Sequence, residues 1–402
     1  MHENIVIVGS GHAGVNLAAN LRKKNWIGSI SLISDEKYLP YHRPPLSKIC
    51  LQTQPFTNPP LLKPDVFYKD NDIDLIQCSR VISIDKAKKT VSFNDQTLSY
   101  DKLILATGSN PVTPSINGLD STKYFHLRTL KESEKISKSI DQSKQFLIIG
   151  GGFIGLELAA SLRKQNAQAS IFETESRTLN RITHPIVSEY IQKLHKDKGV
   201  HIQCNTIVES ISQESDKILL HTNNGKIFHG DELIIGTGSR PNIDLALNAG
   251  LDIDNGIKVN QFNQTSDPHI YAIGDCCNRY NKKYNADLRL ESIQNALDQA
   301  KSLSSYLCEG IITEPSIPTF WSDQYDAKLN IAGISSNADT YIARKQSSEE
   351  LTIWYLKNDK VIAIDAINSP SDFIIGKKII QSEKEIPKEY ISDIHFDLKL
   401  LL

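Results

Sequence analysis

The sequence predicts an α/β protein: two doubly wound units with parallel sheets, followed by a smaller α+β unit. Three observations predict it. The chain repeats itself, because residues 5–25 (IVIVGSGHAGVNLAANLRKKN) and 146–166 (FLIIGGGFIGLELAASLRKQN) align without gaps and about half the positions are identical. Each repeat is closed by an apolar strand ending in Thr-Gly-Ser-x-Pro, at residues 103–111 and 233–241. After residue 320 the pattern changes to hairpin-like strands. The repeat period is far too long for a solenoid.

The elements follow in order. Each repeat has an apolar strand, a glycine turn and a helix with apolar positions at three- and four-residue spacing. In the first, a strand over 29–34 ends on Asp35 and Glu36, and strand-type segments run over 81–93. In the second, a strand over 169–172 ends on Glu173, and alternating segments over 207–228 are interrupted by the hairpin signal Asn223-Asn224-Gly225. Near the end, LTIWYL at 351–356 and VIAIDA at 361–366 flank Lys357-Asn358-Asp359-Lys360 and read as an antiparallel hairpin. The tail beyond Gln381 is charged and weakly periodic.

With 402 residues the chain is long enough for two or three domains. Its formal net charge is −2, which argues against nucleic-acid binding and membrane-surface binding. No leader is expected from the start Met1-His2-Glu3-Asn4. The longest apolar stretch, 146–162, contains three consecutive glycines and Glu157, so a strand–turn–helix is expected rather than a membrane span. Cys50, Cys78, Cys204, Cys276, Cys277 and Cys308 have no metal-ligand or C-x-x-C spacing. No metal site is expected, and free thiols fit a reducing, cytoplasmic location.

Gly9, Gly11 and Gly14 follow a strand and open a helix. Such a turn lets a pyrophosphate approach backbone N–H groups at the helix N-terminus, and an acid about 20 residues on (here Asp35 and Glu36) grips ribose hydroxyls. Gly150, Gly152 and Gly155, with Glu173, form a second complete fingerprint. Two Rossmann-like dinucleotide sites in one chain suit a hydride relay. A carboxylate at Glu173 favours the free ribose of NAD over the 2′-phosphate of NADP, although Arg177 lies one turn on.

On these residues the chain resembles the FAD-dependent pyridine nucleotide oxidoreductases of the glutathione-reductase structural group. Within them it resembles the ferredoxin reductases of the putidaredoxin reductase type, which serve bacterial cytochromes P450 and Rieske oxygenases. The motifs are LPYHRPPLSK at 39–48, GGGFIGLE at 150–157, TSDPHIYAIGD at 265–275, RLESIQNA at 289–296 and FWSDQYD at 320–326. The resemblance implies an FAD domain over residues 1–113 and 239–318, an NAD domain over 114–238 and a C-terminal α+β domain over 319–402. It implies tight, non-covalent FAD on Ala13, Asp35, Lys48, Val81, Arg128, Asp275 and Ile293, a set completed by Gly9, Gly11, Gly14, Glu36 and Arg43. NADH, as substrate, is expected on Gly150, Gly152, Phe153, Ile154, Gly155 and Glu173, with Gly238.

Each expected contact has a plain role. Asp275 bonds the flavin's ribityl and pyrophosphate region, or caps the next helix. Ile293 starts a helix whose N-terminus stabilises reduced flavin. Lys48, expected on a helix begun by Pro44-Pro45, is implied to pair with Glu157 near the point of hydride arrival. Without the resemblance, both would read as helix surface. Trp321 is implied at the flavin edge, or else is a core aromatic.

Disulfide reductases of this group carry a cysteine pair just before the lysine matching Lys48. Residues 40–45 here contain none, and Cys50 stands alone. Thiol–disulfide chemistry needs two sulfurs in reach, so the electrons are expected to leave to a [2Fe–2S] ferredoxin. Rubredoxin is the runner-up acceptor; an NADH oxidase and an apoptosis-inducing-factor-like protein are further alternatives. Cys50, Cys276 and Cys277 are expected to be structural. Lys63, Arg289, Lys328, Lys377 and Lys378 are candidates for a basic docking patch.

Overall fold

The computed structural model describes residues 3–402; Met1 and His2, part of the start expected to lack a leader, lie outside the described residues. The chain divides into two compact units. One comprises Met1–His42, Pro60–Asn110 and Ser239–Pro318, and the other Arg43–Pro59, Pro111–Gly238 and Thr319–Leu402.

In the first unit a five-stranded parallel sheet runs in the order Ile270–Ala272, Lys102–Leu105, Ile5–Val8, Ile30–Ile33, Ile73–Ile76. All four side chains of the central strand Ile5–Val8 are buried, which is why its sequence is continuously apolar rather than alternating. Helices His12–Lys23 and Ile293–Glu309 share one core through Leu17, Leu21, Ala300 and Leu303. A second core joins Val6, Val8 and Leu105 to the antiparallel meander Val81–Asp85, Thr90–Phe93, Gln96–Ser99 through Val81, Val91 and Phe93.

The second unit repeats this plan. Its parallel sheet runs His201–Gln203, Gln168–Phe172, Gln145–Ile149, Glu232–Ile235. Helix Phe153–Lys164 follows the central strand, and a meander of Val208–Glu214, Lys217–Thr222 and Ile227–Gly230 packs Ile211 and Leu220 with Leu147 and Ile149. The segment 207–228 therefore holds one turn more than its sequence suggests. At Ser215 the chain takes φ 53° and reverses without the glycine that marks the next turn at Gly225.

The C-terminal part of this unit is a five-stranded antiparallel sheet in the order Thr319–Gln324, Ala327–Gly333, Lys360–Ile367, Leu351–Lys357, Thr340–Lys345, followed by helix Pro370–Ser382. The expected hairpin is present, with Lys357 opposite Lys360. Asn358 and Asp359 both take positive φ, 48° and 63°, as a tight two-residue hairpin turn requires.

One element differs from expectation. Pro44–Ser47 is a single 3-10 turn and Ile49–Gln52 a separate short helix, with Lys48 between them at φ −122°, ψ −108°. Those angles break the helical run, so Lys48 stands at a corner rather than on a helix begun by the prolines. Among the described residues no helix is long and apolar enough to cross a membrane.

Candidate functional site

Both glycine fingerprints take the same shape. Gly9 and Gly150 each have φ 111°, and a Cβ on either would strike the carbonyl oxygen of Ala106 or Gly236, just past the neighbouring strand, at 2.2 or 2.3 Å. Side chains are thus barred from both positions. The middle glycines differ: a Cβ at Gly11 or Gly152 would meet nothing within 4 Å. Gly11 and Gly152 are also the N-caps of their helices, with no side-chain cap and no acid in the first turn. Two other long helices, Leu130–Ser139 and Ile293–Glu309, are by contrast capped by the side chains of Thr129 and Ser292. Open space before an uncapped N-terminus fits a dinucleotide pyrophosphate at both sites.

In the first unit, Gly274 brings the Asp275 turn against the glycine helix, where a Cβ at Gly274 would lie 3.1 Å from that of Ala13. Asp275 accepts a hydrogen bond from Ser109 Oγ at 3.1 Å. It lies inside the 3-10 turn Gly274–Cys276 and does not cap a helix. Ile293 opens helix Ile293–Glu309, as expected. Val81 is buried in the core. Asp35 is exposed, and Glu36 accepts the Tyr41 hydroxyl at 2.6 Å. By sheet register it is Ser34, not Asp35, that stands where Glu173 stands in the second unit. Ser34 shares a hydrogen bond with Ser10 at 2.7 Å.

In the second unit, Glu173 Oε2 accepts the Gly151 N–H at 2.7 Å and Oε1 accepts that of Glu175 at 2.9 Å. The carboxylate is thereby held over the glycine loop. Arg177 is committed elsewhere, donating to Ser188 Oγ at 2.5 Å and to the Asn180 carbonyl at 2.9 Å. Gly238 has φ 106° and open space around it. Ile154 is exposed, and Phe153 packs on Phe320 with ring centroids 4.5 Å apart.

The densest polar cluster surrounds Glu157, which is 5% exposed and so is not helix surface. Lys48 Nζ lies 2.6 Å from Oε2, and Ser47 Oγ donates to the same oxygen at 2.5 Å. Ser322 Oγ donates to Oε1 at 2.6 Å. Beyond it, Gln324 Nε2 donates to Ser322 at 3.1 Å, and Gln324 Oε1 faces His195 Nε2 at 2.8 Å. Burial lowers the His195 pKa to about 4. His195 carried no signal in the sequence, and Ser47, Ser322 and Gln324 appeared there only as letters of the LPYHRPPLSK and FWSDQYD motifs.

Arg43 donates to the Arg128 carbonyl at 2.7 Å, and the Arg128 N–H is held by Glu132 at 2.8 Å. Trp321 is 36% exposed, so it is not a core aromatic. Arg289 is ion-paired with Glu291 and its side chain is only 14% exposed, which removes it as a docking cation. Lys63 lies over the Phe67 ring, while Lys328 and Lys378 are exposed and Lys377 half-exposed. All six cysteines are free. Cys50, Cys276 and Cys277 are buried, and burial raises the Cys50 thiol to about 11. Among the described residues no cluster could hold a metal.

The family described as pyridine nucleotide-disulphide oxidoreductase matches residues 3–300, and the reductase C-terminal family matches residues 319–402. The chain is 37% identical to a rhodocoxin reductase of Rhodococcus erythropolis, over 99% of this chain and 94% of that one. It is 33% identical to a rubredoxin–NAD(+) reductase of Pseudomonas putida, over 91% and 96% of the two chains. Its fold matches the reductase of a covalent putidaredoxin reductase–putidaredoxin complex with a TM-score of 0.94 at 36% identity, covering 99% of this chain and 97% of that one. With two dinucleotide loops, a carboxylate beside the second and a C-terminal reductase domain, the chain belongs to the pyridine nucleotide-disulphide oxidoreductase family, an FAD- and NAD(P)H-dependent oxidoreductase of the putidaredoxin reductase type.

Proposed function

We propose that this protein takes a hydride from NADH onto tightly held FAD and passes the electrons to a [2Fe–2S] ferredoxin serving a P450 or Rieske-type oxygenase. The observation that carries it is what stands on the Glu157 carboxylate: Ser47 and Lys48, with no second sulfur to partner the buried Cys50 thiol among the described residues. With no redox disulfide to receive them, electrons leave the protein for an external carrier. The names of the relatives point to iron–sulfur proteins as that carrier.

FAD supplies the chemistry that turns a two-electron donor into a source for a one-electron acceptor. The chain's own groups do the rest. The uncapped helix N-termini at Gly11 and Gly152 bind the two pyrophosphates. Glu173 takes the adenosine ribose of NADH, and Arg177 is turned to Ser188 rather than towards a 2′-phosphate. Lys48, oriented by Glu157, presents a fixed positive charge where hydride arrives. Gly9, Gly14, Ala13, Asp35, Glu36, Arg43, Val81, Arg128, Asp275 and Ile293 complete the FAD contacts, and Phe153, Ile154, Gly150, Gly155 and Gly238 those of NADH. Trp321, exposed on its strand, marks the exit towards the partner. Free thiols agree with a cytoplasmic setting.

The rubredoxin reductase relative favours a second acceptor with the same chemistry. Purified [2Fe–2S] ferredoxins and rubredoxins, each tested with NADH and cytochrome c, decide between them. Cytochrome c reduction that depends on a ferredoxin is expected. Equal reduction without any added carrier overturns the proposal.

A further inference from the structure

Resting on the proposed role of the Lys48–Glu157 pair, the buried chain behind it assigns a further function. We propose that Ser322, Gln324 and His195 are positioning residues. They hold the Glu157 carboxylate, and through it the Lys48 ammonium, in the orientation that hydride transfer requires.

The direction of the chain follows from its end. A carboxylate paired with an ammonium only accepts, so the Ser322 proton is committed to Glu157 Oε1, 2.6 Å away. Ser322 must then accept from Gln324, which sets the Gln324 amide N towards it at 3.1 Å and turns the amide oxygen to His195. His195 in turn donates from Nε2, at 2.8 Å. Every donor therefore points at Glu157, and hydrogen bonds aligned this way polarise and strengthen one another. On the carboxylate's other oxygen, Ser47 and Lys48 complete the set. The Ser47 carbonyl is itself held by Ser161 Oγ at 2.6 Å.

The chain is poorly explained as packing. Ser322 and His195 are 0% exposed and Gln324 1% exposed. An apolar residue at 195 would fill the same space, whereas the histidine leaves its buried Nδ1 without a hydrogen-bond partner. The residues come from three separate parts of the chain: helix Phe153–Lys164, helix Pro185–Asp197 and strand Thr319–Gln324. Protonation would not reverse this donation, because an imidazolium also donates from Nε2, and burial disfavours the charged ring in any case.

The experiment measures NADH-driven flavin reduction by stopped flow in Ser322→Ala, Gln324→Met and their double variant, with Glu157→Gln and Lys48→Met as references. NADH affinity, melting temperature and the flavin visible spectrum are recorded alongside. Ser322→Ala should slow the reduction step about tenfold, the equivalent of one weakened charge-assisted hydrogen bond. NADH affinity should stay unchanged, and the flavin band should shift. Gln324→Met should slow the step less, and the double variant should be no slower than Ser322→Ala, because Gln324 acts through Ser322. Gln324→Glu, which keeps an acceptor for His195 but cannot donate to Ser322, should be no faster than Gln324→Met. Slow reduction in Glu157→Gln and Lys48→Met beside wild-type rate and spectrum in Ser322→Ala overturns the positioning chain and leaves the site intact. Wild-type reduction in Glu157→Gln and Lys48→Met overturns the site itself. Loss of melting temperature with an unchanged rate marks the chain as structural and overturns the proposal.

Discussion

Replacing Lys48 with methionine keeps most of the side-chain stem and removes the charge that sits 2.6 Å from Glu157 Oε2. Stripping one partner from a buried ion pair costs about 3–5 kcal/mol, because the remaining charge stays buried and unpaired. Here the lysine side chain is 20% exposed against 6% for the glutamate, and Ser47 and Ser322 still donate to the carboxylate. A loss of about 2–3 kcal/mol is therefore expected, or a fall of roughly 5 °C in melting temperature for a unit of this size. Flavin reduction by NADH, followed by stopped-flow bleaching, should slow about 100-fold, as when one preorganised charged donor is taken from a reaction site. The two effects separate in Lys48→Met/Glu157→Gln, where no charge is left unpaired: stability should return towards wild type while the rate stays low. Wild-type reduction in Lys48→Met would refute the chemical role. A double variant as unstable as Lys48→Met would refute the unpaired-charge argument.

Glu173→Ala should reduce the NADH/NADPH ratio of kcat/KM about tenfold, and Glu173→Arg should narrow or invert it; an unchanged ratio in Glu173→Ala shows that the carboxylate does not hold the ribose. Two buried groups pull the pH dependence of stability in opposite directions. Burial raises Asp365 from 3.8 to about 7, while Tyr355 donates to it at 2.5 Å. The folded protein thus keeps a proton that the unfolded chain releases, and stability falls as pH rises from about 4 to about 7. His195, lowered from 6.5 to about 4, acts the opposite way, losing stability as pH falls across that window. Relative to wild type, Asp365→Asn should gain stability with rising pH by at most about 1.4 kcal/mol per unit; a pH-independent difference in denaturant melts rejects it. Ferredoxin-dependent turnover should fall as salt rises if docking uses Lys63, Lys328, Lys377 and Lys378, because exposed pairs are screened beyond about 8–10 Å at 0.1–0.15 M. NADH-to-FAD reduction is the control, and salt-independent turnover would favour apolar recognition instead.

Much of this protein was legible in its sequence because the signals are local. Gly9 and Gly14, and their counterparts Gly150 and Gly155, announce a backbone shape that no other residue tolerates, since a Cβ there would strike a carbonyl oxygen 2.0–2.3 Å away, while Gly11 and Gly152 leave the space between them open. Strand, turn and helix lie within about twenty residues of each other, so their periodicity and spacing carry the fold and the two nucleotide loops. Asn358-Asp359 foretold its hairpin for the same reason, whereas the weaker turn pair Ser215-Asp216, without a glycine, did not. Side-chain partnership is another matter. Ser47, Ser322 and His195 reach the Glu157 cluster through hydrogen bonds across 110, 165 and 129 residues of chain. Nothing near any of them states that it will meet a carboxylate. Arg177 and Arg289 look like surface cations in sequence, and only the fold turns them onto Ser188 and Glu291. Local backbone chemistry is written in neighbouring letters. Which donor satisfies a buried charge is decided when distant segments pack and water is excluded, because only then does an unpaired group become costly enough to select its partner.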